Sequence, residues 1–203
     1  RALSPNHPLF SNVGSEDAGL GKKVSHSLPM LSLAKTYHLK DLLTWQDGKS
    51  ILGTWKIDGN SLSLIYQNGK LVQGKTRGNG QVGEDVTKKI QWVSDCVPQV
   101  PKVSSNFEVR GELVCTSTDF IQLTKEMERL GLEKPTNPRN IVAGILGRKQ
   151  HLSLARFFRF YAFDLIMTEA PFTKEEGMFK HLASWGFSLP PYEVLKSSND
   201  LEN

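Results

Sequence analysis

The sequence has few cysteines and no long apolar run, and each absence excludes a class of protein. Cys96 and Cys115 are the only cysteines among 203 residues, which is too few for a disulfide framework and favours a reducing compartment. No apolar stretch approaches the ~20 residues that span a bilayer. The opening residues 1–6 lack the apolar core of a secretory signal. We therefore expect a cytoplasmic protein that makes no membrane contact.

Chain length and net charge restrict the domain organisation and the binding partners less than these absences do. A chain of 203 residues can form one substantial core. Residues 1–25 mix Pro, Asn, Ser and Gly without periodicity, so we predict an extended linker followed by one domain over residues 26–203. The chain opens in polar, loop-like sequence without a methionine, and we expect it to be part of a longer protein. The formal net charge of +4 permits contact with a polyanion without demonstrating it.

Alternating apolar residues predict a fold rich in antiparallel sheet. Residues 60–66 and 70–76 flank Asn68-Gly69, and Asn-Gly between two strands is the strongest short-range hairpin signal. Residues 107–114 also alternate, and the aromatic-rich stretch 154–165 is predicted to be a strand.

Helical spacing of apolar residues predicts four helices, at 37–43, 118–130, 140–146 and 174–185. Thr118 or Ser117 is the expected N-cap of the second. Pro29 restricts the residue before it to extended conformations, so the apolar run 28–33 is predicted to be extended as it enters the core. The fold class that follows is α+β, with mostly antiparallel sheets and flanking helices.

One predicted strand-to-turn stretch, from Trp55 to Gly59, can carry chemistry. Lys56 lies among apolar residues, and Asp58 would share its face of a strand. A lysine buried there would lose its charge by desolvation and become a nucleophile. Taken alone, Lys-x-Asp-Gly more often opens a surface turn, so both interpretations stay open.

Two further segments each have a structural and a functional interpretation. Residues 75–87 place three glycines soon after Arg77. Such a loop lets backbone and guanidinium approach a phosphate, but it is equally typical of a glycine-rich hairpin. Residues 137–140, Asn-Pro-Arg-Asn, are typical of a helix N-cap with a surface arginine.

A third segment sets charged residues on one strand face. Glu108, Arg110 and Glu112 alternate along a predicted strand, so their side chains point the same way. The carboxylates could bind a ribose or a metal or tune a lysine, or the three could be a structural ion-pair row.

Taken together and in this order, the segments resemble the adenylation (nucleotidyltransferase) domain of NAD-dependent DNA ligases. The resemblance rests on H-x-x-P-M-L-S-L from His26, K-x-D-G from Lys56, T-R-G-x-G-x-x-G-E-D-V-T from Thr76, E-V-R-G-E from Glu108 and N-P-R-N from Asn137. It covers residues 10–165 and extends more loosely to 187. It implies the ATP-grasp-like nucleotidyltransferase fold of DNA ligases, here truncated.

The resemblance also implies roles for individual residues. Lys56 matches the lysine that attacks the α-phosphate of NAD and forms lysyl-AMP, and Asp58 matches the catalytic aspartate beside it. The residues that match nucleotide-binding positions are Ser32, Leu33, Arg77, Glu112 and Phe163. Arg139 and Arg148 match positions that we assign to nucleic acid.

The same resemblance implies cofactors and partners. NAD and Mg²⁺ are the implied cofactors, although no residue is assigned to the metal, and nicked double-stranded DNA is the implied partner. The implied activity is nick sealing in replication and repair, close to the nucleoid in a bacterial cell.

The chain departs from the family pattern in places. Thr54 replaces the usual glutamate of Glu-x-Lys, Asn79 replaces the aspartate of R-G-D-G, and Arg148 is shifted by one position. The chain has no D-G-x-V-x-K or K-F-P segment and no domain for nicotinamide mononucleotide. We therefore expect it to need the remaining ligase domains, in cis or in trans.

These departures keep two alternatives open. One is a ligase-derived module that has weakened or lost catalysis and acts as a scaffold for nucleic acid or protein. The other is an ATP- or GTP-using relative, such as an RNA ligase or capping enzyme, because K-x-D-G is shared. The R-G-x-G-x-x-G-E-D-V-T and N-P-R-N segments argue against this last alternative.

Overall fold

The structure is a computed structural model that describes residues 21–96, 99–100 and 103–201. Its strands are β1 (Lys23–Ser25), β2 (Ile51–Thr54), β3 (Asn60–Gln67), β4 (Lys70–Thr76), β5 (Val82–Glu84), β6 (Phe107–Val114), β7 (Arg159–Met167) and β8 (Tyr192–Leu195). Its α-helices are α1 (Leu39–Gln46), α2 (Thr87–Ile90), α3 (Ser117–Arg129), α4 (Pro138–Gly147) and α5 (Glu175–Ser184). Two 3₁₀ helices span Leu152–Phe157 and Ser198–Leu201.

The strands form antiparallel sheets, which confirms the predicted mixture of helices and antiparallel sheet. The central sheet has four strands in the order β4-β3-β6-β7. Two smaller sheets pair β1 with β5 and β2 with β8.

The predicted hairpin is confirmed, and its turn has the expected conformation. Strands β3 and β4 pair antiparallel, ending at Gln67 opposite Lys70. Asn68 and Gly69 between them have φ values of 50° and 71°. Two-residue hairpin loops require such left-handed conformations, which Asn and Gly adopt at the lowest cost.

One face of the central sheet forms the core. The apolar residues of β3 that point to this face, Leu62, Leu64 and Tyr66, are fully buried. Val109 and Leu113 of β6 continue the face, and side chains from α3, α4 and α5 belong to the same buried cluster. Each buried leucine contributes about 1.5–3 kcal/mol through the hydrophobic effect. The opposite face of the sheet is therefore the one left for polar side chains.

The predicted helices are present, with shifted boundaries. Helix α3 begins at Ser117, and its N-cap is Thr116, whose hydroxyl accepts from the Asp119 N–H at 3.1 Å. The prediction of Thr118 or Ser117 as N-cap was therefore wrong by one or two positions. Asn137 caps α4 as predicted, accepting from the Asn140 N–H at 2.8 Å.

Two predictions about apolar stretches were wrong. The stretch 154–165 begins in the 3₁₀ helix and becomes a strand only at Arg159, because a helical turn buries Leu154 together with Phe158. In the run 28–33 only Met30 is buried, whereas Leu33 is 91% exposed. Contacts of Leu28 and Pro29 with Arg110 place this run on the polar side of the central sheet, outside the main apolar cluster.

The described end of the predicted linker is ordered by a neighbouring strand. Residues 23–25 form β1, which pairs with β5, whereas residues 1–20 lie outside the described residues. Cys96 and Cys115 are buried free thiols, and burial raises the pKa of Cys115 to about 12. In the part of the chain that the structure describes, no helix is long and apolar enough to cross a membrane.

Candidate active site

The polar face of the central sheet carries a row of polar and charged side chains across all four strands. In the strand register, Lys75 of β4 lies opposite Ser63 of β3, Ser63 opposite Arg110 of β6, and Arg110 opposite Asp164 of β7. Directly opposed residues share a face of a sheet. Glu108 joins this row by accepting from Arg110 Nε at 2.7 Å and from Ser63 Oγ at 2.8 Å. The Glu108–Arg110 pair is thus buried and structural.

Glu112 connects this face to the K-x-D-G segment. One carboxylate oxygen accepts from the Gly59 N–H at 3.0 Å, and the other accepts from Ser61 Oγ at 2.6 Å. A carboxylate has about four acceptor positions, so both oxygens keep capacity for a ligand. The same side chain can therefore hold the loop and contact a nucleotide.

Gly59 is needed for this junction because the backbones approach closely. A Cβ atom at Gly59 would lie 2.2 Å from the carbonyl oxygen of Leu113. Real Cβ atoms do not occur at such distances, so a larger residue would push β6 away from the end of the Lys56 loop.

Lys56 lies in a loop after β2, which agrees with the interpretation of Lys-x-Asp-Gly as a surface turn and not with the alternative of a buried lysine on a strand. Its side chain is exposed, as are those of Trp55 and Asp58. The chain leaves β2 at Thr54 before reaching the lysine, so the strand rule that would place Lys56 and Asp58 on one face does not apply. Lys56 is therefore open to a substrate.

Asp58 joins the N-P-R-N segment to the Lys56 loop. Arg139, in the first turn of α4, forms an ion pair with Asp58 at 3.3 Å, and the two side chains are 67% and 56% exposed. An ion pair this exposed contributes about 0–1 kcal/mol. A ligand can therefore displace either partner at little cost.

Arg77 closes the glycine loop against β3. Its N–H donates to the Ser61 carbonyl at 3.0 Å, and its carbonyl accepts from the Gly80 N–H at 3.0 Å. Asn79 accepts from the N–H groups of Gln81 and Val82 at 3.0 and 2.8 Å. The amide oxygen of Asn79 thus does what an aspartate carboxylate would do in this turn, which accounts for that departure from the family pattern.

The segment from Ser25 to Met30 crosses the polar face and is held by buried cations. Arg110 donates to the carbonyls of Leu28 and Pro29 at 2.5 and 3.1 Å. Lys75, which is 4% exposed, donates to the Ser25 carbonyl at 3.0 Å. These contacts bring the HSLPMLSL segment (residues 26–33) against the other motifs.

Four of the five motifs therefore form one connected set around residues 58–61. Arg139 contacts Asp58, Glu112 contacts Gly59 and Ser61, and Arg77 contacts Ser61. Segments more than fifty residues apart in the chain meet at this point, where Lys56 is exposed beside them.

Comparison with known proteins agrees with this convergence. The family model described as the NAD-dependent DNA ligase adenylation domain matches residues 20–203. The chain belongs to this family. It is similar to the DNA ligase of Rickettsia massiliae, with 32% identity over 200 residues, 93% of this chain and 29% of the relative. The DNA ligases of Rhizobium johnstonii and Acidobacterium capsulatum are each 34% identical, over 89% and 92% of this chain and 27% and 30% of the relatives.

The chain thus spans less than a third of the length of the curated relatives that it matches. The adenylation domain accounts for the family membership, whereas the relatives contain additional sequence. The activity of a whole ligase is for this reason taken up below as a proposal.

Other residues assigned to the site lie at its margins. Ser32 and Leu33 are exposed beyond Met30. Phe163 is 38% exposed on β7 at a bulge, where Arg110 pairs with Asp164 and Gly111 pairs with Ala162, so Phe163 has no opposite residue. Bulges of this kind turn a side chain to a new direction.

Arg148 lies far from Arg139 on the same helix. It is the C-cap residue of α4 and donates its N–H to the Ile145 carbonyl at 3.1 Å. With a rise of about 1.5 Å per residue, the two arginines are roughly 14 Å apart along the axis. The structure therefore does not bring Arg148 into the connected set.

Sequence reasoning did not assign a role to Ser61 or Lys75 within the site, and it offered Arg110 only as part of an ion-pair row, which the structure confirms for Arg110 and Glu108. Alternation placed Ser61 opposite the apolar face of β3, so its polar location was readable from the pattern. The contacts of Lys75 and Arg110 to backbone carbonyls were not readable, because every residue has a carbonyl and no side-chain pattern marks these.

Two carboxyl groups at the edge of the polar face are partly desolvated. Burial raises the pKa of Asp164, Arg110 opposes this shift, and Glu108 adds to it. Burial and the nearby Asp164 raise the pKa of Glu175. Among the described residues, no group of three or more His, Cys, Asp or Glu is arranged to hold a metal ion.

Proposed function

We propose that this chain performs the adenylation step of an NAD-dependent DNA ligase, with Lys56 as the nucleophile. The observation that carries the proposal is the convergence of the K-x-D-G, R-G-N-G, E-V-R-G-E and N-P-R-N segments at residues 58–61. Family membership of the matched adenylation domain supports it.

In the proposed reaction, the Lys56 amine attacks the α-phosphorus of NAD. A phosphoramidate bond forms between Nζ and phosphorus, the bond from phosphorus to the bridging oxygen of the pyrophosphate breaks, and nicotinamide mononucleotide leaves with that oxygen. Nucleophilic catalysis of this kind requires the unprotonated amine. The AMP group then moves from Lys56 to the 5′-phosphate of a DNA nick and leaves when the 3′-hydroxyl seals the strand.

The surrounding side chains have supporting roles in this proposal. Ser32, Leu33 and Phe163 contact the adenine, Glu112 contacts the ribose, and Arg77 binds phosphate through its guanidinium. Asp58 orients the lysine loop, and its exposed partner Arg139 is free to bind a phosphate of the nucleic acid.

Arg148 would contact the DNA backbone outside the connected set, at the end of α4. Mg²⁺ typically binds through phosphates and water with only one or two carboxylates. The described residues supply no ready-made metal site, and no step above is assigned to the metal.

Nick sealing also requires parts that we infer to lie elsewhere in the parent protein, because the relatives are more than three times as long. We propose that residues 26–203 are part of the adenylation domain, that residues 1–25 lead into it, and that the remaining ligase domains act in cis or in trans on nicked DNA. The proposed place of action is the cytoplasm, at the nucleoid of a bacterial cell.

An open depression beside Lys56 bears on the departure at Thr54. It has a volume of about 410 Å³ and is lined by residues 53–56 of the β2 end and by Pro191, Tyr192, Glu193 and Leu195. Thr54 is exposed at its edge. A threonine there leaves room where the family has a longer glutamate side chain.

The test is transfer of a labelled adenylate to the protein. The chain, together with the remaining ligase domains in cis or in trans, is incubated with Mg²⁺ and NAD labelled in the adenylate phosphate, and we expect acid-labile, alkali-stable label on Lys56. Lys56→Met should abolish labelling, because no other group replaces the nucleophile. The matched control is Lys49→Met, which removes another exposed lysine and should leave labelling as in the wild type.

The other outcomes identify the alternatives. Label from ATP and none from NAD would assign the chain to the ATP-using relatives. No label from either nucleotide, with retained binding of DNA or protein, would favour the scaffold. Label that persists in Lys56→Met would show that the nucleophile was misassigned.

A further inference from the structure

Arg110 directs its guanidinium to the protein backbone. Its Nε donates to Glu108 at 2.7 Å, while Nη1 and Nη2 donate to the carbonyls of Pro29 and Leu28 at 3.1 and 2.5 Å. The residue is only 8% exposed. The planar fork of arginine suits two adjacent carbonyls in a way that a single amine cannot repeat.

These contacts set the course of the HSLPMLSL segment across the polar face. Just beyond Pro29, the Met30 N–H donates to the Gly80 carbonyl at 2.8 Å, and Met30 is buried. The chain is free of the sheet only after this point, where Ser32 and Leu33 become exposed. The location of that exposed pair is therefore determined three to five residues upstream.

The opposite end of the segment is held in a similar way. Lys75 binds the Ser25 carbonyl at 3.0 Å, and the His26 N–H donates to the Gln81 carbonyl at 2.8 Å. Arg110 is the contact closest to the exposed pair that comes from the central sheet. Losing it would leave the hydrogen bond from the Met30 N–H to the Gly80 carbonyl as the contact that holds the described segment between Pro29 and the exposed pair.

We propose that Arg110 is a positioning residue for the nucleotide site: it fixes the HSLPMLSL segment on the sheet through the Leu28 and Pro29 carbonyls and thereby raises the affinity for the adenylate half of NAD. It does so without contacting the nucleotide. This inference rests on the proposed function, since it assumes that Ser32 and Leu33 lie on the adenine side.

The test variant is Arg110→Lys, which keeps a positive charge beside Glu108 but cannot reach both carbonyls. Arg159→Lys is the matched control. Arg159 also makes a forked contact, with Asp119 at 3.1 and 3.2 Å, but it lies away from the segment. If Arg110→Lys does not fold, the double variant Glu108→Leu with Arg110→Met replaces the buried pair by apolar groups, which is often tolerated.

Two measurements are made on each variant. The first is hydrogen exchange of the Met30 amide without nucleotide, which reports local opening of the segment. The second is the NAD concentration that half-saturates labelling of Lys56, together with the maximal labelling rate.

For Arg110→Lys we expect Met30 exchange to accelerate about tenfold or more, as for the loss of a charge-assisted hydrogen bond. The half-saturating NAD concentration should rise by a similar factor, and the maximal rate should change much less. Arg159→Lys should leave both quantities unchanged. A purely structural role for Arg110 would lower stability without separating half-saturation from maximal rate.

Unchanged Met30 exchange would overturn the inference, and so would faster exchange with an unchanged half-saturating NAD concentration. Both outcomes presuppose that the wild-type chain is labelled. A wild-type chain without label would instead overturn the proposed function and this inference together, so the two failures are distinguishable.

Discussion

Arg110 and Arg139 both form an ion pair with a carboxylate at the candidate site, but they differ in burial. The Arg110–Glu108 side chains are 10% and 6% exposed, and those of Arg139 and Asp58 are 67% and 56% exposed. The buried arginine also binds two backbone carbonyls. The exposed Arg139 links the N-P-R-N and K-x-D-G segments through one contact, with Asp58 at 3.3 Å.

The difference in burial separates residues that hold the site together from residues that are proposed to take part in its chemistry. Charges out of water are stabilised only when their hydrogen bonds are complete, so the buried pair is rigid and costly to break. A solvent-exposed pair is weak, and its partners can exchange it for a ligand. Lys56, which is proposed to react, and Asp58, which is proposed to orient its loop, are on the exposed side. The residues that hold the backbone are on the buried side.

The largest expected effect tests that contrast directly. Glu108→Ala leaves Arg110 and Ser63 without their acceptor and should lower the free energy of unfolding by about 3–5 kcal/mol. Asp58→Ala, the counterpart at the exposed pair, should change it by less than about 1 kcal/mol. Both values come from denaturant unfolding followed by circular dichroism. Equal losses in the two variants would contradict the contrast.

A smaller effect is expected where the Lys56 loop meets β6. Gly59→Ala places a Cβ atom 2.2 Å from the Leu113 carbonyl oxygen and should cost about 1–3 kcal/mol through overpacking. It should also reduce labelling of Lys56, because the loop shifts relative to Glu112.

The matched control for this change is Gly144→Ala in α4. A Cβ atom at Gly144 meets no heavy atom within 4 Å, and alanine favours a helix over glycine by about 1 kcal/mol. We expect this variant to be slightly more stable than the wild type and to label normally. A Gly59→Ala variant as stable as Gly144→Ala would show that the two backbones can separate freely.

The same contrast explains how much the sequence could predict. Alternation and Asn68-Gly69 were sufficient for the hairpin and for the apolar face, because burial of β3 follows the period of two. Ordered motifs identified the site residues. The exposure of Lys56 agrees with the surface-turn interpretation of Lys-x-Asp-Gly, whereas its apolar neighbours had suggested burial on a strand that in fact ends at Thr54. The 3₁₀ helix at Leu152–Phe157 was missed because the aromatic residues of this stretch are also typical of strands.

The sequence could not predict the hydrogen bonds between side chains and distant backbone groups. Glu112 and Arg110 were assigned to the polar face from their spacing, but their partners Gly59, Leu28 and Pro29 are backbone groups. Backbone groups are the same in every residue, so only the three-dimensional arrangement shows which of them a side chain reaches.

The smallest expected effect is a pH dependence of the free energy of unfolding that arises from His26, next to the buried polar groups. Burial, together with the charge of Lys75, lowers the pKa of His26 from 6.5, although Glu108 and the Thr76 carbonyl oppose this shift. The unfolded chain then binds a proton more readily than the folded one, so stability should fall as the pH drops below about 6.5 toward the folded pKa of His26. Unfolding free energies between pH 7.5 and 5.5 measure this slope, and His26→Gln should flatten it. A slope that persists in His26→Gln would mean that protonation of other groups, and not of the histidine that lies against Thr76, loosens the fold in this range.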